Sequence, residues 1–174
     1  MEDTKVENEN AENIENETVK EIIVDDNIKK EVTVRSIAPW ETGAKRILSF
    51  GDITLQKNGF LLIPREEIIA QAQSGNKLLT GTKGFGEHAT WYIEDAFTRK
   101  KLSFDTDETE QSMLSEDEIK KIFDIKSSKA FETKLKSCIV TRAEKYFLMD
   151  MIKKLKINDY QKIVTCEEHA KMKL

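Results

Sequence analysis

The chain is poor in the residues that mark secreted, disulfide-stabilised and membrane-spanning proteins. Its 174 residues include two cysteines, Cys138 and Cys166, which do not form a C-x-x-C pair. Two isolated cysteines are typical of reduced thiols in an intracellular protein. No apolar run approaches the roughly 20 residues needed to cross a bilayer. The N-terminus also lacks the basic segment and following apolar stretch that are typical of a signal peptide. We therefore expect synthesis in a cytoplasm and no membrane partner.

Glycine and proline are scarce, and both are confined to one region. All seven glycines lie between Gly43 and Gly86, and the two prolines are Pro39 and Pro64. Because these residues usually separate short strands and turns, they predict a β-rich domain. From residue 114 onward the apolar residues follow the spacing of amphipathic helices. The sequence therefore predicts two small domains of different character.

The charges are unevenly distributed along the chain. Residues 1–30 carry 10 acidic and 4 basic side chains, residues 31–111 carry 12 and 10, and residues 112–174 carry 10 and 14. The first segment has no aromatic residue and few apolar ones, so it cannot bury enough surface to offset its conformational entropy. We expect a disordered acidic leader over residues 1–30, with Glu21–Asp25 as a candidate short strand or docking peptide. Such a leader can fold back on the basic C-terminal part, keep particles apart by repulsion, or serve only as a solvated tail.

These patterns predict an α+β protein. Residues 31–104 are expected to form a small β-rich domain, barrel-like or sandwich-like, with one short helix. Residues 105–114 read as an acidic linker, and residues 115–174 as a small helical bundle.

The strongest signal in the predicted β-rich domain is Asn58-Gly59 between two apolar runs. This pair favours a type I′ turn and predicts a β-hairpin over residues 52–63. Arg65–Gln73 predicts a helix, because Pro64 precedes it and Gly75 follows it. Further strands are predicted over residues 32–37, 46–50, 88–93 and 98–104, the last two joined by a turn at Glu94-Asp95.

Helix starts are marked clearly in the C-terminal part. Ser115 with Glu118 and Thr141 with Glu144 form two capping boxes, the second opening a helix through about Lys156. Further helix starts are predicted at Ser128 and near Asn158.

The one glycine-rich segment is Thr80–Gly86, which with the two following residues we call the glycine loop (residues 80–88). Such loops can bind phosphate through backbone amides. A Walker A loop, however, needs its lysine after the last glycine and a helix next, whereas here Lys83 precedes Gly84. We expect a loop that becomes ordered on contact with a partner. The candidate partner-binding residues are Trp40, Lys83, Phe85, His88 and Trp91.

No pattern of catalytic or metal-binding residues stands out. A general base needs a nucleophile and an orienting group, and no spacing supplies these for His88, which we expect at a strand edge bonded to backbone. Cys166 and His169 are three residues apart on a predicted helix, but a structural zinc site needs four ligands. Cys138 and His88 lack ligand spacing. We therefore expect no enzymatic activity, no metal and no cofactor.

Nucleic acid is the alternative partner, because the helical segment is rich in lysine. Lys153, Lys154 and Lys156 end one predicted helix, and Lys162 begins the next. Lysines at a helix C-terminus also complement the helix dipole. Arg142 is the only arginine of that segment, which is unfavourable for bidentate readout of bases.

Several short segments together resemble small accessory structural proteins of tailed bacteriophages. They are Gly51-Asp52-Ile53, Asn58-Gly59, Arg65-Glu66-Glu67-Ile68, Gly75-Asn76, and Gly81-x-x-Gly84-x-Gly86-x-His88-Ala89. The resemblance implies a non-enzymatic virion or assembly role, such as decorating a capsid or sealing a head–tail junction. It also implies other structural proteins as partners, in a homo- or hetero-oligomer, and a location in the virion or the host bacterial cytoplasm. The resemblance supplies no site residues.

Overall fold

The computed structural model describes residues 30–108 and 110–174, and most of the predicted acidic leader, with Glu21–Asp25, lies outside these residues. This part of the chain is mixed α/β, and none of its helices is long and apolar enough to cross a membrane. It contains five strands and seven helices: β1 (Glu31–Ser36), β2 (Thr42–Lys45), β3 (Asp52–Leu55), β4 (Phe60–Pro64), α1 (Arg65–Gln73), α2 (Lys77–Thr80), β5 (Trp91–Ile93), α3 (Ala96–Lys101), α4 (Glu116–Phe123), α5 (Ser128–Cys138), α6 (Arg142–Lys154) and α7 (Tyr160–Ala170).

The strands form two small antiparallel sheets. One has the order β4-β1-β5, and the other consists of β2 and β3. β1 is central because it pairs with both β4 and β5. Its side chains alternate, so that Val32 and Val34 are buried, whereas Thr33 and Arg35 on the opposite face are only half-buried. Within residues 30–108 and 110–174 these sheets do not close into a barrel.

The predicted hairpin over residues 52–63 is wrong in its pairing, although both of its strands exist. β3 pairs with β2, and β4 pairs with β1. A type I′ turn needs positive φ at both central residues, but Asn58 has a φ of 49° and Gly59 is not in the positive-φ region. Instead, Asn58 N donates to Ala38 O (2.9 Å) and Ser36 N donates to Gly59 O (2.8 Å). These bonds tie the turn to the end of β1.

The predicted strand over residues 46–50 is a loop that follows β2. Its Ile47 and Leu48 amides donate to the carboxylate of Glu67, over 2.7 and 3.0 Å. Because this acceptor lies on α1, the amides do not take part in a strand ladder. Burial acts to raise the pKa of Glu67, but the hydrogen bonds from Gln71 and from these two amides hold it below its usual value.

The predicted strand over residues 98–104 is also wrong, since α3 occupies most of it. Asp95 caps this helix, and its Oδ2 accepts from Thr98 N (2.8 Å) and Thr98 Oγ1 (2.6 Å). The strand predicted over residues 88–93 is shorter than expected, because only Trp91–Ile93 pairs with β1.

The helix signals are confirmed more closely. α1 has the predicted bounds, and Gly75 follows it at a φ of 78°. Both predicted capping boxes are present, at the starts of α4 and α6. The caps of α5 and α7 are Ser127 and Asp159, each one residue from the predicted position, and α6 ends at Lys154 rather than Lys156.

The buried apolar side chains fall into two large clusters and one small one. One large cluster lies against the two sheets, and the other lies among α4–α7. The small cluster contains Ile37 and Ala38, which follow β1, together with Ala143 of α6. The segment predicted as a linker includes three buried side chains, Asp105, Gln111 and Leu114. It therefore packs into the protein, and the two halves of the chain contact each other.

Candidate partner-binding site

The glycine loop is closed at its base by backbone hydrogen bonds. Thr82 N donates to Glu87 O (2.9 Å), and Gly86 N donates to Thr80 O (2.9 Å). Gly81 has φ 67° and ψ −154°, a conformation that is essentially restricted to glycine. A Cβ atom at this position would lie 2.0 Å from Glu87 O. The loop therefore has one closely defined shape, which depends on glycine at position 81.

The tip of the glycine loop presents an aromatic ring to solvent. Phe85 is 64% exposed. In the same loop, Lys83 Nζ and Glu87 Oε2 form a solvent-exposed ion pair of 2.8 Å. The hydrogen bond from Lys83 lowers the pKa of the Glu87 carboxyl from its usual value.

His88 attaches the glycine loop to the start of α6. A hydrogen bond of 2.7 Å joins its Nδ1 to Oε1 of Glu144, and its Nε2 lies 3.7 Å from Oε1 of Glu87. The other oxygen of Glu144, Oε2, accepts from the amides of Val140 (2.8 Å) and Thr141 (2.7 Å). The expected bond from His88 to backbone is therefore wrong, since its partner is the buried carboxylate that caps α6.

A cavity of about 870 Å³ lies between the glycine loop, the 103–112 segment, and helices α4 and α5. This volume is within the range of about 300–1,000 Å³ that is typical of small-molecule sites. Its apolar wall is formed by Phe85, Phe104, Leu114, Ile122 and Ile125, and its polar wall includes His88, Gln111, Lys121, Lys134 and Glu144.

Among the described residues that line the cavity, Gln111 is the buried side chain with an unpaired polar atom. Its Nε2 donates to Gly86 O (3.0 Å), which fixes the orientation of the amide. Its Oε1 has no hydrogen-bond partner within the described residues. A buried acceptor without a donor costs about 1–3 kcal/mol, so this oxygen favours a ligand that supplies an N–H or O–H group.

The two tryptophans lie away from the cavity. Trp91 is fully buried in the core, where its Nε1 donates to Thr42 Oγ1 (2.7 Å). Trp40 is half-buried against α6. Its ring meets that of Tyr146 edge to face, with centroids 5.3 Å apart, and the Arg142 guanidinium lies 5.1 Å from its centre.

Of the five candidate residues, the structure therefore brings two together at the cavity, Phe85 and His88. Lys83 lies on the outside of the glycine loop, and the tryptophans lie elsewhere. Sequence reasoning missed Gln111, Lys121 and Lys134 as wall residues. No spacing could reveal them, because they come from three separate segments that meet only in the fold.

The cysteines differ in access. Cys138 is half-buried at the cavity, whereas Cys166 is fully buried, and burial raises the pKa of its thiol to about 12. His169 Nε2 lies 2.6 Å from Ile139 O. Among residues 30–108 and 110–174, no three His, Cys, Asp or Glu side chains form a group that could hold a metal ion.

Part of the lysine-rich surface is paired with carboxylates of the same chain. Glu116 of α4 accepts from Lys120 (2.8 Å) and from Lys154 of α6 (2.9 Å). These two hydrogen bonds lower the pKa of Glu116 to about 2. Lys162 lies 3.3 Å from Asp159. Such pairing reduces the positive charge that these lysines offer to a nucleic acid.

Comparison with known proteins adds no functional assignment. No protein-family model matches the chain, and no curated protein or solved structure matches it. The site is therefore defined by its own geometry, which combines a glycine loop of fixed shape, an exposed Phe85 and the adjoining cavity.

Proposed function

We propose that this chain is a non-enzymatic protein-interaction component whose partner contacts Phe85 at the tip of the glycine loop. The observation that carries the proposal is the exposure of Phe85 on a loop whose base is fixed by hydrogen bonds and by Gly81. An aromatic side chain held in place beforehand loses little conformational entropy on binding, and aromatic residues are enriched among the residues that dominate binding energy.

A second contact is proposed at the cluster of Trp40, Arg142 and Tyr146. Tyr146 is 37% exposed, and Arg142 is an exposed residue whose guanidinium lies over the Trp40 ring. Tryptophan, tyrosine and arginine are the residue types most often found at the energetic centres of interfaces. Trp40 therefore fits the interaction role, and Trp91 fits a role in the core.

An oligomeric assembly is supported by strand β4. Among the described residues β4 pairs with β1 alone, so its other edge is open, and its Phe60 and Leu62 are 63% and 50% exposed. An apolar strand edge without charged residues readily pairs with a strand of another chain. We expect Leu62→Lys to shift the protein toward monomer in sedimentation velocity, while the matched variant Thr54→Lys, at an exposed position of β3, leaves the association unchanged. Equal sedimentation of wild type and both variants would contradict this assembly surface.

The resemblance to accessory structural proteins of tailed phages extends the proposal to a virion, with the chain at the capsid or neck. Mass spectrometry of purified particles tests this placement: the chain should be present in a fixed ratio to the capsid protein. Its absence from particles would remove the virion role but leave the interaction role of the glycine loop untouched.

The interaction role is tested by a photo-crosslinking amino acid at position 85, with position 160 as the control. Tyr160 is 77% exposed, lies on α7 and does not line the cavity beside the glycine loop. We expect position 85 to give a discrete crosslinked protein in the native source and position 160 to give none. The Phe85→Ala variant should reduce recovery of the same partner in a pull-down. Equal crosslinking at both positions would contradict the proposal.

The alternative proposal is a nucleic-acid-binding regulator acting through residues 115–174. It is supported by the net positive charge of residues 112–174, with 14 basic against 10 acidic side chains, and by the exposure of Lys153 and Lys156. Fluorescence anisotropy with a labelled duplex should then show affinity that falls steeply with salt, because binding releases counterions. No binding at low salt would reject this alternative.

A further inference from the structure

Strand β4 has one edge whose backbone groups have no partner strand among the described residues. At its end, Arg65 N donates to Lys30 O (3.0 Å), so alternate residues of β4, counted back from Arg65, face β1. The N–H and C=O groups of Phe60 and Leu62 therefore point to the opposite edge. In the described part of the chain no backbone or side-chain group bonds to them there. This edge offers two donors and two acceptors to an added strand.

The sequence before β1 contains a segment suited to this edge. Residues 1–29 precede the described part of the chain, and Ile22-Ile23-Val24 is their only run of three apolar residues. All three are β-branched, a residue class that is favoured in strands. Three residues also match the length of the open edge from Phe60 to Leu62. Beyond them the edge loses its donors, because Pro64 has no N–H group.

The topology of the sheet favours this segment from a second copy over the segment of the same chain. Lys30 lies beside Arg65, where β4 passes directly into α1. To reach the open edge of its own β4, residues 25–29 would have to cross that passage at the same end of the sheet, and such crossings are avoided in proteins. The segment would also run parallel to β4, because it is followed by the antiparallel strand β1. Parallel pairing is slightly less stable per residue than antiparallel pairing.

We propose that the open edge of β4 binds Ile22-Ile23-Val24 of a second copy of this chain as an antiparallel strand. Val24 would lie opposite Phe60, and Ile22 opposite Leu62, so that both donors and both acceptors of the edge are paired. Exchange of the segment in both directions closes a two-fold dimer. Residues 25–29 span at most about 17 Å, which holds the two copies close together. The inference rests on the assembly proposed at β4 and names the segment that β4 binds.

The first test is sedimentation velocity of the full chain and of the double variant Ile22→Pro/Val24→Pro. Proline removes the N–H groups that would face β4, and the variant leaves residues 30–174 unchanged. We expect a dimer for the wild type and a dissociation constant at least about tenfold higher for the variant, because a dimer loses four donors. The matched control is Ile14→Pro/Val19→Pro, which makes the same two substitutions earlier in the chain and should leave the dimer unchanged.

The second test identifies the copy from which the segment comes. A photo-crosslinking amino acid is placed at position 23, and ¹⁵N-labelled and unlabelled chains are mixed, equilibrated and irradiated. We expect mass spectrometry to find position 23 joined to a β4 peptide, in pairs of which one member is labelled and the other is not. Pairing within one chain would give no such mixed pairs.

The outcomes separate this inference from the assembly on which it rests. A wild type that sediments as a monomer would refute both. A dimer that persists in Ile22→Pro/Val24→Pro but is lost in Leu62→Lys would refute the exchange and leave β4 as the interface. Crosslinks to β4 without mixed pairs would also refute the exchange, because they would place the segment on its own chain.

Discussion

Replacing Gly81 with alanine should destabilise the glycine loop by a predictable amount. The residue has a φ of 67°, and an added Cβ would lie 2.0 Å from Glu87 O. The backbone strain costs about 1–3 kcal/mol. Relief of the clash requires Glu87 O to move away from Thr82, whose N and Oγ1 donate to it over 2.9 and 3.3 Å. Each such bond contributes about 0.5–1.5 kcal/mol, so we expect a total loss of about 2–6 kcal/mol.

The matched control is Gly84→Ala in the same loop. Gly84 also has a positive φ, of 93°, but no atom lies within 4 Å of its added Cβ. This variant should therefore lose only the free energy needed to hold alanine at a positive φ, about 1–2 kcal/mol. The difference between the two variants isolates the close approach of Gly81 to Glu87 from the general preference for glycine at positive φ.

Urea unfolding followed by tryptophan fluorescence measures both variants, since Trp91 is fully buried and Trp40 is half-buried. If the loop opens before the rest of the protein, the measured loss is limited to the free energy of that local opening. Hydrogen exchange at the Thr82 and Gly86 amides then reports the opening directly. A Gly81→Ala variant as stable as Gly84→Ala, with both amides still protected, would refute the reasoning.

Three further predictions concern single side chains. Glu144→Gln should lower the midpoint temperature of unfolding, because the single oxygen of an amide cannot accept the hydrogen bonds that the two carboxylate oxygens accept. It should also speed hydrogen exchange at the His88 ring, measured by NMR. An unchanged midpoint temperature would contradict this. At pH 8 iodoacetamide should modify Cys138 and not Cys166, whose pKa is raised to about 12; peptide mapping that finds both modified would disprove it. The Glu116 pKa is lowered to about 2, so its stabilising effect is present above the unfolded value of about 4.5 and is lost as the pH falls toward 2. The difference in thermal midpoint between wild type and Glu116→Gln should therefore shrink over that interval, and a constant difference would refute it.

Helix starts and ends could be predicted from the sequence because they depend on contacts between near neighbours. The Ser115 hydroxyl reaches an amide three residues away, and the Thr141 hydroxyl does the same. Gly75 ends α1 through its own backbone conformation. In each case the groups that determine the helix end lie within about one turn of it, so the pattern is visible in the sequence.

Strand pairing could not be predicted in the same way, because it depends on residues far apart in the chain. Asn58-Gly59 correctly marks a turn, in which Gly59 N donates to Gln56 O. The hydrogen bonds that tie this turn to the rest of the fold, however, join it to Ala38 and Ser36, about twenty residues earlier. Residues 98–104 contain β-branched and aromatic residues typical of a strand, yet Asp95 starts a helix there. A local capping interaction outweighs a weak strand preference in this segment.

The candidate site also combines features that arise between near neighbours with features that depend on residues far apart in the chain. The conformational demand on Gly81 and the exposure of Phe85 arise within the glycine loop, and the sequence marks that loop. The cavity walls require Gln111, Lys121 and Lys134 to meet in space, and no short-range pattern encodes that meeting.

Glu144 shows why the two halves of the chain act together at this site. A capping box needs only one carboxylate oxygen, and Oε2 supplies it to the Val140 and Thr141 amides. The second oxygen is then free to bind His88, whose positive φ of 57° turns the end of the glycine loop toward α6. Because one buried carboxylate serves both contacts, the loop cannot shift without disturbing the start of the helix.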